Sequence, residues 1–127
     1  MLTLYFAPGS SSMAVHIALH EVGASFEARP MSFTAATLHP ARQRGLEHAT
    51  AVWGVADQKL GNGWALGARY SIADIHLFRL YWRLFNSLKP KPGTFPNLDA
   101  HYARMMARPA VQKTIEVETA VGYELPA

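Results

Sequence analysis

The chain of 127 residues contains no cysteine. That absence excludes disulfides, thiolate metal sites and a thiol nucleophile supplied by the protein itself. It accords with a cytoplasmic protein, the compartment expected here. Charge is also scarce, at 17% of residues against 50% hydrophobic. A packed core is therefore expected, not a disordered chain. Long apolar runs are missing as well. The stretch from Ile75 to Leu88 is interrupted by His76, Arg79, Arg83 and Asn86 and is too short to cross a bilayer, so no membrane partner is expected. No basic region precedes an apolar run at the N-terminus, so no secretory leader is expected either. Nor is one sign of charge concentrated anywhere. The 12 Lys and Arg residues are scattered and the formal net charge is only +3. Nucleic-acid binders gather such residues on one face, so nucleic acid is not an expected partner, and a mild preference for anionic small molecules is the better reading. The length suits one ordinary domain.

What is present reads as a short β-α-β unit followed by helices. Leu2 to Phe6 is rich in strand formers and bounded by Pro8-Gly9. Ser10, Ser11 and Ser12 are candidate N-caps for a helix whose apolar residues Val15, Ala18, Leu19 and Val22 recur at helical spacing. Gly23 closes that helix. Ser25 to Met31 alternates, with Phe26 and Ala28 inward and Glu27 and Arg29 outward, and a helical crossover joins parallel strands. Pro40 marks a helix start or kink. Leu46, Ala49, Trp53, Ala56 and Leu60 then form an apolar stripe that ends at Gly61-Asn62-Gly63. Lys89-Pro90-Lys91-Pro92-Gly93 is a break. Asn97 is a candidate cap for the next helix, Pro109 fits the first turn of the last one, and Gly122 to Ala127 reads as irregular.

The most specific local signal is Tyr70-Ser71-Ile72-Ala73-Asp74-Ile75. Ser71 can cap, Asp74 can reach back to the Ser71 amide, and Tyr70 and Ile75 can staple the entry. This predicts a helix from about Ser71 to Leu88. It is apolar on most sides and so belongs at the centre of a bundle.

These residues resemble the glutathione S-transferase family, particularly its bacterial members. Leu4-Tyr5-Phe6-Ala7-Pro8-Gly9-Ser10-Ser11-Ser12, continuing through His16 to Gly23, is similar to the first strand, active-site loop and first helix of its thioredoxin-like domain. Trp64-Ala65-Leu66-Gly67 with the Ser71–Asp74 box resembles the loop and capped central helix of its helical domain. Phe95-Pro96-Asn97-Leu98 and Arg108-Pro109-Ala110-Val111 resemble the starts of later helices. One departure is large. In the family a cis-proline loop holds the glutathione backbone and an acidic-Ser pair holds its γ-glutamyl end. Neither a Val-Pro nor an acidic-Ser pair occurs between Glu27 and Pro40. Instead Pro30-Met31-Ser32-Phe33 leads to Thr37-Leu38-His39-Pro40, which resembles the middle of a helical-domain helix. The chain thus resembles a member with an internal deletion of the later thioredoxin-like domain and the start of the helical domain. The implied fold is mostly α with a small N-terminal β-α-β unit, divided into a partial thioredoxin-like segment at 1–33 and a helical domain at 34–127.

The chemistry implied by the resemblance is activation of the glutathione thiol, with glutathione as co-substrate, a small apolar electrophile as its partner and no metal. The thiolate is the nucleophile, and a hydroxyl beside the sulfur plus the positive end of a helix favour it. Ser11 falls where many bacterial relatives carry a cysteine, and it is the catalytic candidate together with Tyr5. Ser10, Ser12, His76, Arg79 and Trp82 are the substrate-binding candidates. Each also has a plainer reading. Serines before a helix are good caps. The His76, Arg79, Arg83 and Asn86 stripe can face solvent or a neighbouring helix. Trp53, Trp64, Tyr81, Trp82 and Phe85 can be core. His16 and His20 share one face at a spacing that could bind metal, but the reading preferred is surface histidines. Two functions follow: a glutathione transferase, or a non-catalytic helical binding or assembly module, an inactive remnant included. Two strands alone are marginal in water, so a homodimer or a loosely ordered N-terminal third is expected.

Overall fold

Alternating side chains make Leu2–Phe6 the first strand, β1: Leu4 and Phe6 are buried while Leu2 and Tyr5 are exposed. The computed structural model describes residues 2–30 and 42–123. The expectations placed on Met31 to Pro40, on the boundary between residues 33 and 34, on the Leu46 side chain and on the tail past Tyr123 lie outside the described residues. The elements that follow β1 are α1 (Ser12–Glu21), β2 (Phe26–Pro30), α2 (Arg42–Leu60), α3 (Ile72–Leu88), α4 (Pro96–Met106) and α5 (Pro109–Val121). The chain is mostly helical with a small N-terminal sheet, as expected. β1 and β2 pair in parallel, with Leu2 opposite Phe26 and Phe6 opposite Pro30. β2 is one residue shorter at its start than expected from the alternation.

The helix α1 lies between this sheet and the bundle, touching β1, α3 and α5. Its buried residues are Met13, His16 and Ile17. The expected apolar face at Val15, Ala18, Leu19 and Val22 is therefore corrected: Val15 is 51% and Val22 76% exposed. The helix carries two apolar stripes, and spacing alone does not say which one a neighbour covers. Met13 and Ile17 join Ile75, Phe78, Trp82, Met105 and Val111 in the main core, against which Ala18 also packs. A second cluster of Tyr81, Leu84, Phe95 and Leu98 is covered by Trp53, Ala56 and Leu60 of the expected α2 stripe. α3 supplies both clusters, which is why so many of its faces are apolar. Ile72 and Phe85 nonetheless look outward.

Two helix starts differ from expectation. α4 begins at Pro96, which leaves Asn97 inside its first turn. The buried carboxylate of Asp57, on α2, accepts the Leu98 amide at 2.8 Å instead. The Asn97 side chain in turn donates to the Asp57 carbonyl and carboxylate. The cap of α4 thus comes from another helix, which also ties α2 to α4. At α1, Ser11 occupies the N-cap position without a side-chain cap bond. The Ser10 hydroxyl accepts the Ser12 amide at 3.2 Å in its place.

Candidate functional site

The loop from Ala7 to Ser12 turns sharply between β1 and α1. The Ser10 amide donates to the Ala7 carbonyl at 3.0 Å, and Gly9 sits at φ 73°, a left-handed conformation that favours glycine. The Ser12 hydroxyl fastens both ends: it accepts the Ala7 amide at 3.2 Å and donates to the Ala7 carbonyl at 3.3 Å. Ser10 and Ser12 hydroxyls lie 2.7 Å apart. Both are committed to holding the loop. Ser11 is different: it is exposed, and its hydroxyl has no partner among the described residues.

Beneath the loop lies a residue that the sequence did not single out. Glu118 of α5 is fully buried, and its Oε2 accepts the Gly9 amide at 2.9 Å. Its Oε1 lies 3.4 Å from His16 Nδ1. The surface reading of His16 is therefore corrected, since this ring is 1% exposed. Phe6, His16, His20 and Phe26 form a ring cluster that joins sheet to helix, in which His16 and His20 stack with centroids 5.1 Å apart and the other pairs are tilted or edge-on. The Nε2 atoms of both histidines are buried without a partner among the described residues. Burial pushes the His20 pKa down, and His16 and Lys113 add to that by repulsion. One signal for Glu118 was available. It falls with Val111 and Thr114 on the buried face of α5, a carboxylate at helical spacing on an otherwise uncharged stripe.

The other candidates do not converge on this loop as one cluster. Tyr5 faces away from the Leu4 and Phe6 side of β1, is 57% exposed, and has the Arg29 guanidinium 6.0 Å from its ring. His76 is exposed on α3. Arg79 is buried on the same stripe, and its Nε has no acceptor among the described residues. Its pKa is pushed down by burial and then by Arg83. Trp82 is a core residue, packed 4.8 Å from the Tyr123 ring. Among the described residues no group of three or more His, Asp or Glu side chains is arranged for a metal ion.

The capping box is closed from its carboxylate end. Asp74 Oδ2 accepts the Ser71 amide at 2.8 Å and the Ser71 hydroxyl at 3.1 Å. Oδ1 accepts the Ala65 amide at 2.7 Å and lies 3.0 Å from His101 Nε2. Burial alone would raise the Asp74 pKa. The bonds from Ala65, Ser71 and His101 outweigh burial and hold it below the usual carboxylate range. A second brace joins the end of α1 to the start of α5. Arg108 grips Glu21 through two bonds, at 2.6 and 2.7 Å, while stacking 3.7 Å over the Tyr70 ring.

The described residues thus form a sheet-to-helix loop carrying a free serine, packed against a helical bundle with a capped central helix. The family model described as the glutathione S-transferase C-terminal domain matches residues 17–109. The chain belongs to the glutathione S-transferase family. Similar solved structures share its fold. BphK, a bacterial GST solved as a ternary complex, is 19% identical with a TM-score of 0.71, over 93% of this chain and 100% of that one. A glutathione transferase from Methylococcus capsulatus strain Bath is 21% identical with a TM-score of 0.70, over 94% and 100%. A glutathione S-transferase from Xylella fastidiosa is 17% identical with a TM-score of 0.76, over 94% and 99%. No curated protein sequence matches this one. No helix among the described residues is long and apolar enough to cross a membrane.

Proposed function

We propose that this protein binds glutathione and conjugates its sulfur to small apolar electrophiles. One observation carries the reading. Of the three serines in the loop, two spend their hydroxyls on the loop itself, and Ser11 keeps its own free at the exposed start of α1. A sulfur placed there meets a hydroxyl donor and the positive end of a helix, both of which favour the thiolate over the thiol. The thiol proton passes to water. The sulfur electron pair then forms the new carbon–sulfur bond, and the leaving group departs with its own pair.

Ser11 is the catalytic donor in this proposal, with Tyr5 as the further candidate on β1. Ser10 and Ser12 shape the glutathione subsite by fixing the loop. His76 and Arg79 attract the anionic ends of the ligand, and the unsatisfied Nε of Arg79 fits a carboxylate acceptor. The division into a thioredoxin-like segment at 1–33 and a helical domain at 34–127, a homodimer that completes the site, and a cytoplasmic location belong to the same proposal.

The competing reading is a non-catalytic binding or assembly module. It is favoured by a sheet that has two strands among the described residues, which offers little surface to hold a tripeptide. Calorimetric titration with glutathione separates the two. Heat of binding in the micromolar to millimolar range, with turnover of a model electrophile that Ser11→Ala lowers about a hundredfold, supports the transferase. No heat from a protein shown to be folded by circular dichroism leaves the assembly module.

A further inference from the structure

One side of α3 holds more hydrogen-bond donors than its surroundings satisfy. Arg79, Arg83 and Ser87 follow one another at four-residue spacing, which sets them on consecutive turns of one side of the helix. Arg79 is only 7% exposed, and its Nε has no acceptor among the described residues. The Ser87 hydroxyl is buried and equally without a partner there. Arg83, half-buried between them, makes no hydrogen bond or ion pair among the described residues. A buried guanidinium is costly to take out of water and is ordinarily held by a carboxylate. A second positive charge one turn away, which repels it, adds to that cost. The described carboxylates are engaged elsewhere, as Glu21 is by Arg108, Asp57 by the Leu98 amide, Asp99 by Tyr81 and Glu118 by the Gly9 amide. Residues 31–41 contain no Asp or Glu. Glu47 and Glu124 are the acids whose side chains lie outside the described structure.

We infer that Arg79, Arg83 and Ser87 form an anion subsite on α3 that takes one carboxylate of a small-molecule ligand. The carboxylate oxygens accept from Arg79 Nε and from the Arg83 guanidinium together, so one negative charge lies between two positive ones and relieves their repulsion. Ser87, one turn beyond Arg83, offers its hydroxyl to the remainder of the ligand. A carboxylate suits this place better than a phosphate. It brings one charge instead of nearly two, so less has to be taken out of water beside a side chain as buried as Arg79. Its two oxygens also match the planar fork of a guanidinium. His76 stands outside the subsite, because it is exposed. The inference deepens the role proposed for Arg79 and adds Arg83 and Ser87, but it needs neither a thiol nor Ser11. The carboxylate belongs either to glutathione or to a second ligand, and the two sources are separable.

The test follows the Arg79 Nε–H resonance of the whole isotope-labelled chain while acetate is added at constant ionic strength, with acetamide as the neutral counterpart. Acetate should shift the resonance saturably and acetamide should not. Arg83→Gln should weaken acetate binding about tenfold, through the loss of one charge-assisted contact. Arg79→Met should be at least as stable as the parent in the absence of ligand, since it removes an unpaired buried charge. If a variant fails to fold, the resonance in the unaltered protein decides by itself. Displacement of acetate by glutathione assigns the carboxylate to glutathione, and acetate binding that ignores glutathione assigns it to a second ligand. Acetate binding without any heat from glutathione would defeat the transferase reading and leave this subsite standing. No saturable shift, or equal shifts with acetate and acetamide, overturns the inference. So does a stronger response to inorganic phosphate. An Nε–H resonance that moves in ligand-free Glu47→Gln or Glu124→Gln overturns it as well, because an acid of the same chain then fills the place.

Discussion

The Glu118 carboxylate accepts the Gly9 amide at 2.9 Å, joining residues 109 positions apart in the chain. This bond ties the loop that carries Ser11 to the last helix, so the geometry of the candidate site depends on α5 being docked. Glu118→Ala leaves the Gly9 amide and His16 without their acceptor in a buried place. A loss of about 3 kcal/mol is expected in urea denaturation. Glu118→Gln keeps an acceptor for Gly9 and loses about 1 kcal/mol. The affinity for glutathione should fall in the same order.

Ser11→Ala tests the donor. The residue is exposed and makes no cap bond, so stability should stay within about 0.5 kcal/mol of the parent. Turnover should fall roughly a hundredfold, because the thiolate loses its hydroxyl donor. A titration of bound glutathione by thiolate absorbance should show its pKa moving up. Equal turnover in both proteins would remove Ser11 from the mechanism.

The Asp74 cluster separates a local cap from a tertiary anchor. Ser71→Ala removes one contact and should cost about 1 kcal/mol, the usual size of a capping loss. Asp74→Ala strips the acceptor from Ala65, Ser71 and His101 together. Its cost should be about 3 kcal/mol. Chemical denaturation of the two variants side by side checks the ratio.

Acid should unfold the protein from below the ordinary histidine value. Burial lowers the His101 pKa from 6.5, an effect that the Asp74 bond only partly offsets. The unfolded chain therefore takes up more protons as pH falls, and stability is full above 6.5 and declines as pH drops through the folded value. His20 is shifted the same way, chiefly by burial. Asp74, held below its usual 3.8, adds a further loss at lower pH. Denaturation midpoints measured from neutral to acid pH should show this fall, and His101→Gln should flatten its upper part. An unchanged slope in that variant would assign the fall elsewhere.

Arg108→Lys should not be conservative. The planar guanidinium holds Glu21 through two bonds and stacks on Tyr70, and an ammonium can do only part of this. A loss of about 1 kcal/mol is expected, because both side chains are partly exposed. Thermal denaturation at low and high salt checks it, with the larger difference at low salt.

The features that were legible in the sequence are those decided within a few residues of chain. Asp74 closes on Ser71 three residues away, Gly23 follows the end of α1, and Pro109 opens α5, because caps and breakers act through local backbone groups. The α2 stripe of Trp53, Ala56 and Leu60 was also readable from its helical spacing and packs on the second cluster. The serine loop was legible by resemblance. Which of its hydroxyls remains free was not, because that depends on the turn bringing Ser12 back to Ala7. Tertiary packing alone chose Met13 and Ile17 over Val15 and Val22 as the buried face of α1, placed Asp57 as the cap of α4, and brought Glu118 under Gly9. In each case sequence offered more than one residue able to do the job. The choice went to the one that a distant element could cover or bond, because burial and desolvation are properties of neighbours in space and not of neighbours in the chain.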